Sequence, residues 1–415
     1  MKAREAAFSC LCDVINRRQY ASLNMRYRND ELTETDQALM THIVYGTLRN
    51  HDYVRYQWQL YVDRKPNEKI SVLLDMSVYQ LLLMDRIPAY ACINEAVEIA
   101  RSINESYAPL VNAVLRKVAD RGPQKIYEND KLTKLAIETS HPQWLVRMWN
   151  AHYGYELTEK MCWENLQEGK VALRVNTMKT SEEKLLEDPR FKEGKIPDCL
   201  FYEGNILNTP YFRNNEVIIQ SESSQRVVRM LQPQENDRIL DMCAAPGTKT
   251  IQMAMMMKNT GEIIAVDLYP QRVELINAAL NKYGITNVRL VCHDSRNLPT
   301  LLSLHSWDKI LLDAPCSGLG TLKHKPEIKL TVQPEDLDDI VKLQSELLET
   351  AALLIKDGGQ IVYSTCTVNK KENEKQIENF LSQHPEFALV NQEMIFPFEE
   401  DDGFYIAKLV KSMVK

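Results

Sequence analysis

The segment DRILDMCAAPGTKT (237–250) decides the fold of this chain. It begins as a short apolar run, turns through small residues and Gly247, and continues into a helical pattern, which is the signature of a strand–turn–helix unit. The same rhythm recurs in EIIAVD (262–267), VRLVCHD (288–294), WDKILLDAP (307–315) and GGQIVYSTC (358–366). Amphipathic stretches such as QRVELINAALNKYG (271–284) and LDDIVKLQSELLETAALLIK (337–356) separate these runs. Strand–helix alternation of this kind builds an α/β domain, a mostly parallel sheet with helices on both faces. GFYIAKLV (403–410) has no helix after it and is free to join as an antiparallel addition.

Working outward, the pattern before residue 233 differs. Residues 1–124 read as an all-α domain around ISVLLDMSVYQLLLMD (70–85), which is apolar on nearly every side and therefore a central buried helix. RGPQ (121–124) closes it. Residues 125–232 mix a helix, HPQWLVRMWNAHYG (141–154), with two short strands, VALRVNT (171–177) and EVIIQ (216–220), as a small α+β domain. Residues 233–415 form the α/β domain, so the chain is multidomain, as 415 residues lead one to expect.

Composition narrows the class. The chain is 44% hydrophobic and 26% charged, and no apolar run approaches the roughly 20 residues of a membrane span. MKAREAAFSC at the start carries charge where a secretory signal would be apolar, so a cytoplasmic protein is expected. Nine cysteines without a CxxC pair fit neither a disulfide framework nor a zinc site, and no metal is expected. Cys10, Cys12, Cys92, Cys162, Cys199 and Cys292 read as ordinary core thiols. A net charge of −7 argues weakly against a nucleic-acid partner unless basic residues cluster.

In open parallel sheets ligands bind beyond the carboxyl ends of the strands. Here the first strand ends in MCAAPGTKT (242–250), where Gly247 permits close approach and the following helix aims its N–H groups at the same spot. The spacing is neither GxGxxG nor that of a P-loop. The next strands end in Asp267, Asp294 and Asp313. Three carboxylates at successive strand ends, opposite a small-residue loop, point to a nucleoside-bearing cofactor. Two thiols, Cys316 in DAPC and Cys366 in STCT, follow the last two strands.

LDMCAAPGTKT, VDLYPQR, HDSRNLP, DAPCSGLG and YSTCTVNKKENE, in this order, closely resemble the signature blocks of the RNA cytosine-5 methyltransferase family. RVNT with QSESSQ resembles that family's pre-catalytic domain, and the first 120 residues, with VNAVLRKV, resemble a NusB-type helical module. The layout is similar to the family's bacterial members acting on small-subunit (16S) ribosomal RNA. Three details depart from the family pattern: Thr248 replaces the second glycine of PGGKT, TCT replaces TCS, and QSESSQ replaces QDEAS.

The resemblance implies a Rossmann-like class I methyltransferase domain with a seven-stranded sheet, binding S-adenosyl-L-methionine through Cys243, Ala244, Ala245, Pro246, Gly247, Thr248, Lys249, Asp267, Arg272, Asp294 and Asp313. It implies ribosomal RNA as the partner, in a single-stranded or loop region, and a monomeric enzyme. C5 of cytosine is a poor nucleophile, and adding a thiolate to C6 places electron density on it. Residue chemistry leaves Cys316 and Cys366 both open as that thiolate. The resemblance implies Cys366 as nucleophile, Cys316 assisting release, and Asp313 at the cytosine edge near N3. The basic run TLKHKPEIK (321–329), RVNTMK and the helical domain are expected to supply RNA contacts. A transfer-RNA cytosine methyltransferase and a non-catalytic ribosome-assembly factor are the alternatives.

Overall fold

The computed structural model describes residues 2–413 apart from 30, 86, 400 and 401. The chain divides into two compact units, residues 1–168 with 322–333, and residues 169–321 with 334–415. The first unit is helical. Helix Glu68–Leu83 lies at its centre, buried along most of its length, and Asn67 caps it by accepting from the N–H groups of Lys69 and Ile70. Asp75 is buried within this helix, where Trp58 Nε1 donates to it at 2.7 Å and Arg55 pairs with it at 2.6 Å. Cys10 and Cys12 lie on one helix of this unit, Cys10 fully buried and Cys12 partly, and burial pushes their thiols up to about 12 and about 11.

The helical unit does not stop at residue 124. Helices Lys131–Glu138, Gln143–Tyr153 and Tyr155–Glu164 belong to it. The Gln57 side chain exchanges two hydrogen bonds with the backbone of Gln124, and Ser140 Oγ accepts from Tyr53 N–H at 2.9 Å, so the expected boundary is bridged. The expected α+β region of 125–232 is accordingly shared between the two units.

The second unit holds two sheets. Strands β1 (Ala172–Val175), β2 (Phe191–Glu193), β3 (Cys199–Tyr202) and β4 (Val217–Ile219) form an antiparallel sheet in the order β2-β3-β1-β4. The larger sheet contains β5 (Arg238–Asp241), β6 (Glu262–Asp267), β7 (Val288–Cys292), β8 (Trp307–Asp313), β9 (Ile355–Thr365), β10 (Phe387–Ile395) and β11 (Phe404–Lys411), in the order β10-β11-β9-β8-β5-β6-β7. Strands β7, β6, β5, β8 and β9 run parallel, and β11 is antiparallel to β9 and to β10. Alternate residues face opposite layers. Leu240, Leu312 and Tyr363 enter one core, while Ile239, Leu311 and Val362 enter the other. Both faces are covered, as parallel strands require.

Three expectations need correction. Cys292 is exposed, because it ends β7, the edge strand, and not a central one. Arg174 of RVNT lies in the antiparallel sheet and is buried, with Nε and Nη2 lacking hydrogen-bond partners, and burial lowers its guanidinium to about 9. It offers no surface to RNA. The basic run 321–329 is no open basic loop either. Residues 322–333 pack into the helical unit, where Lys323 pairs with Glu164 at 2.7 Å, Lys329 Nζ donates to Arg49 O at 2.8 Å, and Glu327 accepts from Ala21 N–H. Of its lysines only Lys325 is exposed.

Candidate active site

The site is assembled at the carboxyl ends of β5, β6, β8 and β9. After β5 the chain turns at Gly247, whose φ of +97° is a left-handed conformation that suits glycine. A Cβ there would meet Ile276 Cγ2 at 3.1 Å. Helix Thr248–Met256 starts at this turn with no side chain capping it, which leaves its first N–H groups to a ligand. Asp241, Cys243, Ala244, Ala245, Pro246, Thr248, Lys249 and Asp313 line a small cavity of about 20 Å³.

Charge within this cavity is strongly perturbed. Burial, with a lesser contribution from Asp313, pushes the Asp241 carboxyl up to about 7, against the hydrogen bond from Thr250 Oγ1 at 2.7 Å. Asp241 Oδ1 is left without a partner. Burial and the carboxylates of Asp241, Asp313 and Asp267 raise the Cys243 thiol well above its ordinary value. Burial works against the Lys249 ammonium, but Asp313, 2.7 Å away, outweighs it, and the charge of the Cys366 sulfur adds to the same effect, so the lysine is raised.

At the end of β6, Asp267 is almost fully buried. Its Oδ2 accepts from Ala245 N–H at 3.2 Å and lies 3.5 Å from Arg272 Nη2, which also reaches Ala245 O. Arg272 thus braces both the small-residue loop and the carboxylate. Asp294, following β7, is gripped by Arg296 through both carboxylate oxygens and caps the next turn by accepting from Arg296 N–H. Much of its hydrogen-bonding capacity is committed within the chain.

Strands β8 and β9 pair in parallel, with Asp313 opposite Ser364. That register carries the two thiols to the same place: Cys316 Sγ and Cys366 Sγ lie 3.3 Å apart. Ser364 Oγ donates to Asp313 Oδ1 at 2.7 Å while Lys249 holds Oδ2, so the carboxylate is fixed from both sides. The hydrogen bond to Cys366 is the largest cause that raises Cys316 well above its ordinary value, with burial second. Ser364 carries no signal in the sequence; only the pairing of β8 with β9 sets it directly opposite Asp313. All the site residues read from the sequence come to one end of the sheet, Asp294 at its far side.

The donor set fits a nucleoside-bearing methyl donor. It offers a glycine-turned loop beside an uncapped helix start, and a buried carboxylate at the end of the second parallel strand. Among the described residues no cluster could hold a metal ion.

Comparison with known proteins agrees. Residues 228–410 match the family model for the 16S rRNA methyltransferase RsmB/F, residues 1–120 match the NusB family, and residues 141–190 match the ferredoxin-like domain of the RsmF/B-like methyltransferases. The chain is 35% identical to the probable ribosomal RNA small subunit methyltransferase B of Bacillus subtilis, covering 98% of each chain. It is 31% identical to the ribosomal RNA small subunit methyltransferase B of Vibrio vulnificus, covering 99% of this chain and all of that one. The crystal structure of PH0851 superposes with a TM-score of 0.83 over 98% of both chains, at 26% identity. The chain therefore belongs to the RsmB/F family of 16S ribosomal RNA methyltransferases, which use S-adenosylmethionine as methyl donor.

Proposed function

We propose that this protein methylates C5 of one cytosine in small-subunit ribosomal RNA through a covalent bond between Cys366 and C6 of the base. The observation that carries the proposal is the pair of sulfurs 3.3 Å apart beside the Lys249–Asp313 ion pair. A single base entering this site can meet both thiols and the carboxylate. S-adenosylmethionine, when bound, supplies an electrophilic sulfonium methyl group. Asp267 would take its ribose hydroxyls, with the 243–249 loop, Arg272 and Asp294 around the remainder.

In this reading the Cys366 thiolate adds to C6 and pushes electron density onto C5, which takes the methyl group. Asp313 holds the cytosine edge near N3, in a direction set by Ser364 and Lys249. The C5 proton then leaves, the C6–sulfur bond breaks, and aromaticity returns with a net exchange of methyl for proton. Cys316 is the base. The hydrogen bond with Cys366, then burial, then the charge on Cys366 raise its thiol well above its ordinary value. Once the Cys366 sulfur is bonded to carbon, that charge and hydrogen bond are gone, so Cys316 can release its own proton to water and, as the thiolate, accept the C5 proton, with one proton released per methyl group transferred.

The target nucleotide must be unstacked to enter, at a cost of a few kcal/mol, which favours a loop cytosine. The test is transfer of labelled methyl from S-adenosylmethionine to naked 16S ribosomal RNA, followed by digestion to nucleosides. Label in 5-methylcytidine is expected. Cys366→Ala should abolish both transfer and covalent attachment to RNA, whereas Cys316→Ala should accumulate the protein–RNA adduct. Label in another nucleoside, or none with RNA binding intact, would sink the reading, and transfer to transfer RNA alone would favour that substrate. An adduct lost with Cys316 and retained without Cys366 would reverse the two roles.

A further inference from the structure

The two cysteine-bearing segments share one buried partner. The Glu372 side chain is fully buried and accepts four hydrogen bonds, all from neutral donors. These are Ser317 N–H at 2.9 Å, Ser317 Oγ at 2.6 Å, Asn369 Nδ2 at 3.0 Å and Gln344 Nε2 at 3.2 Å. Its backbone carbonyl accepts from the Tyr363 hydroxyl at 2.7 Å. Ser317 has one hydroxyl proton, given to Glu372, so Thr367 Oγ1 is the donor in the 2.9 Å contact between the two hydroxyls. The neighbouring Asn373 accepts from Thr365 Oγ1 at 2.5 Å and donates to Thr367 O at 2.9 Å. Gln344 also donates to Pro315 O at 2.9 Å. Ser317 and Pro315 flank Cys316, and Thr365 and Thr367 flank Cys366.

A buried carboxylate is costly unless its oxygens are satisfied, and packing alone does not call for one here. What this carboxylate joins is specific: the backbone beside one thiol and the turn that carries the other. We infer that Glu372 is the positioning residue of the dithiol, tying the Cys316 loop to the Cys366 turn and so fixing the separation of the two sulfurs. Asn373 does the same locally for the backbone on either side of Cys366. Reacting groups displaced by about 1 Å lose on the order of 10²-fold in rate, so such a clamp has a direct kinetic consequence. That consequence rests on the cytosine-methylation reading; the spacing of the sulfurs does not.

The test therefore has two arms. In the first, RNA-free protein is treated with diamide, which takes two electrons and two protons from a pair of neighbouring thiols and leaves a disulfide. The Cys316–Cys366 cross-link is followed by peptide mass mapping. The wild-type protein should cross-link readily. Glu372→Gln must set its NH2 group against either Ser317 N–H and Gln344 Nε2 or Ser317 Oγ and Asn369 Nδ2, so one side of the clamp loses its acceptor, and the cross-link should slow by about tenfold or more in protein that remains folded by circular dichroism. Ser317→Ala, which loses only the hydroxyl bond, should slow it less, and carries the test if Glu372→Gln does not fold. No cross-link in the wild type, or a wild-type rate in both variants, overturns the inference.

In the second arm, single-turnover methyl transfer by Glu372→Gln should show a rate constant reduced by roughly 30-fold or more, with burst amplitude and KM for RNA retained. A reduced amplitude with an unchanged rate constant is the mark of damaged folding and overturns the positioning role. If the wild-type protein transfers no methyl group, the cytosine-methylation reading fails, and the cross-linking arm still decides the role of Glu372.

Discussion

Asp313 illustrates how much a single residue depends on its neighbours. Its two oxygens are held by Ser364 and Lys249, and it in turn keeps the lysine charged within a buried site. Asp313→Asn keeps the shape, loses the charge and leaves the ammonium without its closest counter-ion. Methyl transfer is expected to fall by roughly 10²–10³-fold, as when one preorganised hydrogen-bonding group is removed from an active site. Asp313, Cys316 and Cys366 were legible in the sequence because Asp313 closes an apolar run and the two cysteines lie three and one residues past the ends of such runs. Ser364 and Glu372 were not. Their partners lie 51 and 55 residues away in the chain, and a hydrogen bond of that separation leaves no local pattern.

Among the elements, residues 322–333 behave least as their composition suggests. The segment is rich in lysine, yet it is largely buried in the helical unit. Burial lowers Lys329 to about 7 in the folded chain, against its ordinary value of 10.5. Between those values the unfolded chain binds a proton that the folded one does not, so the resulting penalty is complete below about pH 7 and vanishes above about 10.5. Lys329→Met is therefore expected to stabilise the helical unit at pH 7 by roughly 1–4 kcal/mol, less the bond to Arg49 O, with the advantage shrinking toward pH 10. Chemical denaturation at the two pH values checks the sign. Gly320 is tightly constrained as well. Its N–H donates to Cys366 O at 3.0 Å, its carbonyl accepts from Gly403 N–H at 2.7 Å, and a Cβ would sit 2.0 Å from Gly403 O. Gly320→Ala should cost about 3 kcal/mol or more in thermal unfolding, because backbone and not a flexible side chain blocks the space.

At the scale of the whole molecule, two compact units with separate cores predict unfolding in more than one step. Calorimetry should resolve two transitions, and S-adenosylmethionine at 100 times its Kd should stabilise only the unit with the large sheet, by about 2.7 kcal/mol. A single transition that shifts as a whole would contradict this. No helix among the described residues is long and apolar enough to cross a membrane. The sequence by itself determined the succession of strands and helices, the carboxylates and thiols at the strand ends, and the central helix, read as 70–85 and found at Glu68–Leu83, because periodicity and residue type act over a few residues. The edge strand β10, absent from the sequence reading, has polar residues such as Asn391, Gln392 and Glu393 where a buried strand would be apolar, and only pairing with β11 defines it. Tertiary structure alone decided that Cys292 is exposed, that Arg174, Lys323 and Lys329 are buried, and that Glu372 lies between the two thiol-bearing segments. Whether a charge is solvated or enclosed depends on groups brought to it from distant parts of the chain, and composition and periodicity do not record those contacts.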